Sequence, residues 1–74
     1  MQYFGIKLKQ LRHARDLTQQ QVADAVSISL REYQKIEKGE IAPGSEIFLR
    51  LVFFLGVDIE RYRQDLLSQT SDTL

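Results

Sequence analysis

The sequence predicts a compact all-α domain of five short helices. Apolar side chains recur at spacings of three and four residues, and residue types that cap helices stand between these segments. Strand signals are few, because there is no sustained alternation of apolar and polar residues and no Asn-Gly hairpin dipeptide. A chain of 74 residues is one domain at most. We expect the domain to span residues 1–67 and the polar tail, residues 68–74, to be frayed.

The first helix is predicted from an apolar face. Its members are Phe4, Leu8, Leu11 and Ala14, spaced by four, three and three residues. Asp16 is expected to end the helix, because a short polar side chain tolerates the left-handed backbone conformation at which helices often stop. The basic residues Lys7, Lys9 and Arg15 are interpreted as solvated charges.

Two capping boxes predict the second and third helices. Thr18 is followed three residues later by a glutamine, a pattern in which each side chain satisfies a free backbone N–H at a helix start. Ser29 and Glu32 repeat this pattern, so a third helix is expected to begin close to the end of the second. Gly39 then supplies the left-handed residue that ends the third helix.

The fourth and fifth helices are predicted from caps at both ends. Gly44 or Ser45 begins the fourth helix, which continues to Leu55 and ends at Gly56. Asp58 caps a fifth helix that runs to about residue 67. Within the fourth helix, three apolar residues are expected to fill the core: Phe48, Leu51 and Leu55.

Two short helices joined by a tight turn are the sequence form of a helix-turn-helix, although helical hairpins are common. The stretches LTQQQVADAVSISLREYQKIEKGEIAPG and LRLVFFLGVD make the signal specific. Their order and spacing resemble the lambda-repressor and Cro-like (XRE-type) family of helix-turn-helix transcriptional regulators, and the resemblance covers residues 5–66. It implies a five-helix DNA-binding domain whose third helix lies in the DNA major groove.

The resemblance also implies roles for single residues. The expected DNA base contacts are Leu30, Arg31, Gln34 and Lys35. The expected phosphate contacts are Thr18, Gln19, Ser29 and Lys38, with Gln19 also steadying the third helix. The implied partner is double-stranded DNA, and no small-molecule ligand is evident.

The chemistry of the third helix supports some of these roles better than others. Arg31 can donate two hydrogen bonds to guanine, and Lys35 lies one turn later on the same face. Leu30 can read only a thymine methyl by apolar contact. Glu32 is repelled by phosphate unless it accepts from cytosine or pairs with a neighbouring cation. Each of these side chains also fits an ordinary solvated helix face.

Two further expectations concern structure. In the family, an arginine at the position of Arg12 and a glutamate at that of Glu37 form a partly buried ion pair, which ties the first helix to the third. Ser27 stands where a glycine is common in the turn. If that turn requires positive φ, Ser27 destabilises it by about 1 kcal/mol.

The fourth helix is more apolar than one buried stripe requires, since IFLRLVFFL contains one polar residue. The excess side chains either pack beneath the fifth helix and the N-terminal aromatics, or form a homodimer interface. We favour the dimer, in which two recognition helices about 34 Å apart read a palindromic site. The expected interface residues are Ile47, Phe53, Phe54, Ile59 and Tyr62.

Composition weighs against several other functions. There is no cysteine and one histidine, and no paired carboxylates or nucleophile with a base, so neither a metal site, a cofactor nor an enzyme is predicted. Neither a membrane span nor a secretory signal is evident, which favours the cytoplasm.

The net charge is zero but unevenly distributed, at +3 over residues 1–38 and −3 over residues 39–74. The loop 40–44 carries no cation. These two features favour a helix-turn-helix fold that serves as a protein-interaction or anti-regulator module, which is the alternative hypothesis. The family resemblance makes a repressor that binds a palindromic operator the first hypothesis.

Overall fold

The computed structural model describes residues 2–60, which form four α-helices and no strand. The helices are α1 (Gln2–Ala14), α2 (Gln19–Ala25), α3 (Leu30–Lys38) and α4 (Ser45–Leu55). The all-α prediction is confirmed, but the described part of the chain holds four helices where five were expected. The predicted fifth helix lies mostly outside the described residues. Its start is visible, since the Asp58 carboxylate accepts a hydrogen bond from the Glu60 N–H at 3.1 Å.

The ends of the helices follow the predicted capping chemistry, with one exception. At Thr18 both halves of the capping box are present. At Ser29 the hydroxyl accepts from the Glu32 N–H, but the expected return bond, from the Ser29 N–H to the Glu32 carboxylate, is absent. Gly39 and Gly56 end their helices with φ of 79° and 73°. Gly44 caps α4 without a side-chain bond, so its start has no polar side-chain cap.

All four helices contribute to the core: α3 packs against α1 and α2, and α4 packs against α1. The fully buried side chains of the core include Phe4, Leu8, Tyr33, Ile36 and Leu51. Two apolar residues are less buried than expected. Ala14, on the predicted apolar face of α1, is exposed. Phe48 packs against the core but is only half-buried, at 4.9 Å from Phe4 between ring centroids. Val52, which was not among the expected core residues, is buried.

The close contact between α1 and α3 depends on Gly5, which is buried within α1. A Cβ atom at this position would lie 2.7 Å from the Ile36 carbonyl oxygen and still closer to that of Glu37. Only the absence of a side chain allows the two backbones to approach this far. Gly5 therefore sets the distance between α1 and the last turn of α3.

Two arginines close the C-terminal ends of other helices. Arg15 donates a 2.6 Å hydrogen bond to the Phe54 carbonyl oxygen at the end of α4. Arg50 donates at 3.2 Å to the carbonyl oxygen of Val26, the residue that ends α2. A cation at these positions satisfies a free carbonyl and interacts favourably with the helix dipole. Arg15 is exposed, as expected for a solvated charge, but its guanidinium also bonds a carbonyl oxygen 39 residues along the chain.

Candidate nucleic-acid interface

The turn between α2 and α3 is short and requires a left-handed residue. Ser27 has φ of 61°, a conformation in which a Cβ atom is strained. The turn is held by a hydrogen bond of 3.0 Å from the Ile28 N–H to the Ala23 carbonyl oxygen. The turn therefore does require positive φ at Ser27, a conformation that glycine adopts more easily.

Arg12 and Glu37 join α1 to the end of α3 by a bidentate ion pair. The Arg12 Nε donates to Glu37 Oε2 at 2.9 Å, and Nη2 donates to Oε1 at 2.8 Å. Arg12 also donates to the Leu17 carbonyl oxygen at 3.0 Å, in the turn that leads into α2. The side chains are only 10% and 4% exposed. The guanidinium therefore ties α1, the following turn and α3 together.

A glutamine chain extends this network across α2. The Gln19 amide donates to Glu37 Oε1 at 3.2 Å, and its carbonyl oxygen accepts from the Gln34 amide at 3.2 Å. Gln19 thus bonds two residues of α3, which fixes the angle between α2 and α3. Gln34 uses one of its two N–H groups toward α2, so its carbonyl oxygen and one N–H remain for other partners.

The network keeps Glu37 ionised. Burial opposes ionisation, but the hydrogen bonds that Glu37 accepts, chiefly from Arg12, outweigh it and hold its pKa below the ordinary value of 4.5. Burial, with a smaller contribution from nearby Glu37, raises the pKa of Tyr33 well above its ordinary range. The Tyr33 hydroxyl is buried beside the pair and makes no hydrogen bond of standard geometry within residues 2–60.

The opposite face of α3 carries charges that are not neutralised. Arg31 and Lys38 are exposed, while Leu30, Glu32 and Lys35 are half-buried. Within residues 2–60 the ion pairs are Arg12–Glu37 and Arg50–Glu46, so the charged residues of this face have no ion-pair partner there. Such a face is free to engage an outside ligand.

A shallow hollow opens on this face at the N-terminal half of α3. Its volume is about 210 Å³, and it is lined by Ser29, Arg31, Glu32, Lys35 and Ile41. Ile41 comes from the loop after α3, which turns back at Gly39, where the Glu40 N–H donates to the Lys35 carbonyl oxygen at 2.9 Å. Ile41 could not be predicted as part of this hollow from the sequence, because its position depends on this reversal.

Thr18 and Ser29 both use their side-chain oxygens as helix caps. Thr18 accepts from the Gln21 N–H at 3.0 Å, and Ser29 accepts from the Glu32 N–H at 3.1 Å. A hydroxyl that accepts a capping bond still has its own hydrogen to donate. Both residues lie at helix starts, where the dipole favours an anion.

The residues expected at a dimer interface differ in exposure. Phe53 is 76% exposed and Ile59 is 44% exposed, whereas Ile47 and Phe54 are partly buried against the core. Tyr62 lies outside the described residues. Leu49, which the sequence interpretation missed, is 46% exposed and shares a helix face with Phe53 four residues later.

No group of three or more His, Cys, Asp or Glu side chains in residues 2–60 is arranged to hold a metal ion. No helix in that part of the chain has the length and apolarity needed to cross a membrane.

Most of the chain matches a known domain family. Residues 4–64 match the family described as "Helix-turn-helix domain". The chain is also 36% identical over 62 residues to the cryptic phage CTXphi transcriptional repressor RstR of Vibrio cholerae, across 84% of this chain and 56% of that protein. The chain thus spans little more than half the length of this relative. No solved structure matches the chain.

Proposed function

Because the chain belongs to the helix-turn-helix domain family, we propose that it is a sequence-specific transcriptional regulator of the Cro-like type that binds double-stranded DNA. The similar Vibrio cholerae protein is named a transcriptional repressor, which supports repression as the sense of regulation. In the docking geometry of helix-turn-helix proteins, α3 enters the major groove with its N-terminal residues toward the base edges, and α2 crosses the backbone.

One observation carries the proposal. Arg31 and Lys35 lie one turn apart on α3 without an ion-pair partner in residues 2–60, while the other face of α3 is fixed to α1 and α2. Arginine can donate two hydrogen bonds to guanine O6 and N7, which contributes about 1–3 kcal/mol of discrimination. Fixing the helix before binding lowers the entropy lost on association.

The remaining contacts are proposed from position and free hydrogen-bonding capacity. Leu30 reads a thymine methyl, and Gln34 uses the donor and acceptor that Gln19 leaves free. Thr18, Gln19, Ser29 and Lys38 hold phosphates, which orients the domain without reading sequence. The loop 40–44 adds no cation, so we expect a shallower salt dependence than a basic loop would give.

We further propose that the protein binds a palindromic operator as a homodimer. Support comes from exposed apolar side chains on α4 and just after it, namely Leu49, Phe53 and Ile59. The capping bond of Asp58 supports a fifth helix that begins at this surface. A two-fold dimer sets the two copies of α3 about 34 Å apart, one turn of DNA.

Selection from a pool of randomised duplexes tests the function. The protein is mixed with the pool, the retained duplexes are sequenced, and a palindromic motif is expected to be enriched. Arg31→Ala is expected to lose the motif, and Arg31→Lys to relax its guanine position, because lysine keeps the charge but cannot donate in the bidentate geometry.

Lys35→Ala has a matched control in Lys9→Ala. Both remove one positive charge, but Lys9 is exposed on α1 and is not among the side chains that line the hollow on α3. We expect Lys35→Ala to weaken binding to the selected motif and Lys9→Ala to leave it nearly unchanged. Equal losses would mean that only overall charge matters and that α3 reads no sequence.

A second function has specific support. The net charge of zero and the loop 40–44 without cations are unusual for a protein that binds a polyanion. These features favour a helix-turn-helix fold that binds another protein. Failure to enrich any motif, together with no binding to mixed DNA at low salt, would make this interaction module the better account.

A further inference from the structure

We infer that Glu32 is a specificity-determining residue that selects cytosine by accepting a hydrogen bond from its N4 amino group. This inference rests on the proposed DNA-binding function. Glu32 lines the hollow on α3 together with the two cations Arg31 and Lys35. It is half-buried and lies at the end of α3 whose residues point toward the base edges.

The carboxylate of Glu32 is not used within the described structure. A capping box would direct it to the Ser29 N–H, but only the bond from the Glu32 N–H to the Ser29 hydroxyl is formed. The Glu32 carboxylate also forms no ion pair within residues 2–60, although Lys35 follows it by three residues. Two acceptor oxygens therefore have no partner within residues 2–60, on a side chain that lines the hollow.

The hydrogen-bonding groups that each base presents in the major groove determine which base Glu32 can contact. Guanine N7 and O6 and thymine O4 are acceptors, so a carboxylate facing them has no hydrogen to accept and is repelled. Cytosine presents the N4 amino group, a donor that matches the carboxylate. Adenine also presents an amino donor at N6, but the N7 acceptor beside it repels a carboxylate, so cytosine is the better match. Arg31 is the adjacent residue, and it offers hydrogen-bond donors that match the two acceptors of guanine. Because Glu32 offers acceptors, the hollow matches a guanine beside a cytosine.

The flanking groups also reduce the repulsion between Glu32 and the DNA backbone. Arg31 and Lys35 place positive charge in the same hollow as the carboxylate, and Ile41 is the one apolar side chain lining the hollow. Partial exclusion of water strengthens a charge-assisted hydrogen bond. Glu32 thus lowers non-specific affinity while it favours one base, which is how a negative charge contributes selectivity.

The test compares Glu32→Ala with Glu40→Ala by selection from randomised duplexes. Both variants remove one acidic charge close to α3, and the exposed Glu40 side chain is not among those lining the hollow. The wild type and Glu40→Ala are expected to select the same motif with a fixed cytosine. Glu32→Ala is expected to accept other bases at that position while it keeps the rest of the motif.

A second measurement isolates the amino group. The cytosine is replaced by 2-pyrimidinone, which lacks the 4-amino group, and affinities are measured for the wild type and Glu32→Ala. The change also weakens base pairing, but equally for both proteins, so their difference reports the contact. We expect the wild type to lose roughly 5- to 150-fold more affinity than the variant.

Three results would overturn the inference. If Glu32→Ala selects the wild-type motif with its cytosine intact, or if 2-pyrimidinone weakens both proteins equally, Glu32 reads no base and the DNA-binding function still stands. If the wild type selects no motif at all, the proposed function fails and the inference falls with it. Thermal melting of each variant establishes that a lost preference does not come from unfolding.

Discussion

Arg50 on α4 donates a hydrogen bond to the carbonyl oxygen of Val26, the residue at which α2 ends and the turn into α3 begins. The same guanidinium pairs with Glu46 at 2.6 Å, one turn earlier on α4. The first contact links α4 to the helix-turn-helix, whereas the second lies within one helix. Only the first can position α2 and α3 against the rest of the domain.

Arg50→Ala is expected to lower the free energy of unfolding by about 1 kcal/mol, because it leaves the Val26 carbonyl without its charged cap. Glu46→Gln, which removes only the exposed ion pair, is expected to change it by less than about 0.5 kcal/mol. Urea denaturation of both variants measures the difference. Equal effects would show that the ion pair, and not the cap, accounts for the contribution of Arg50.

Removing one partner of the Arg12–Glu37 ion pair is expected to destabilise the protein strongly. Arg12→Met leaves the Glu37 carboxylate buried without its main partner, so we expect the free energy of unfolding to fall by about 3–5 kcal/mol. Replacing both partners, in Arg12→Met/Glu37→Leu, removes the uncompensated charge and is expected to recover part of that loss. Urea denaturation again gives the values. A double variant no more stable than Arg12→Met would contradict this account.

The ion pair also predicts how stability depends on pH. The folded state holds the pKa of Glu37 below its ordinary value of 4.5, so folding favours the ionised form. This contribution is fully present above pH 4.5 and is lost as the pH falls through the lower pKa of the folded state. We therefore expect the stability difference between the wild type and Glu37→Gln to shrink on acidification.

Urea midpoints at a series of pH values between neutral and acid measure this difference. Glu46→Gln serves as the control, since the side chain of Glu46 is 78% exposed and its pair with Arg50 is weakly coupled to folding. A difference between the wild type and Glu37→Gln that stays constant with pH would show that Glu37 acts only through its shape.

Ser27→Gly is expected to stabilise the protein by about 1 kcal/mol. Ser27 adopts φ of 61°, where a side chain is strained and glycine is not. Ser27→Ala keeps the Cβ atom and is expected to stay within about 0.5 kcal/mol of the wild type. Thermal melting distinguishes the two. Stabilisation by alanine as well would mean that the serine hydroxyl, and not the backbone, is the source of strain.

The helix boundaries could be predicted from sequence because their causes are local. Thr18 and Gln21 lie three residues apart, and each satisfies a backbone N–H of the other. Gly39 and Gly56 end α3 and α4 because glycine adopts the left-handed conformation without a steric penalty. Such signals need no knowledge of the rest of the fold.

Contacts between distant residues could not be predicted in this way. Arg15 and Arg50 reach carbonyl oxygens that are 39 and 24 residues away, and backbone acceptors carry no mark in the sequence. Val52 is buried and Phe48 only half-buried, although both are apolar residues of α4. Each of these outcomes is decided by tertiary packing.

The candidate interface could be predicted only in part, because it depends on both local signals and tertiary packing. The pairing of Arg12 with Glu37 was expected only through a family resemblance, since several acidic residues were open to Arg12 by composition alone. The free carboxylate of Glu32 contradicts the local capping pattern, and it became visible only in the structure. Residues that depart from a local rule in this way are candidates for function.

Phe53→Ala is expected to weaken self-association without destabilising the monomer. Its ring is 76% exposed in the single chain, so truncation removes little core packing. If Phe53 is buried between two copies, its loss removes about 1.5–3 kcal/mol per copy from the dimer. Sedimentation equilibrium measures association, and Ile6→Ala is the control, because Ile6 is apolar and 56% exposed on α1. A wild type that stays monomeric, or equal effects of the two variants, would contradict an interface on α4.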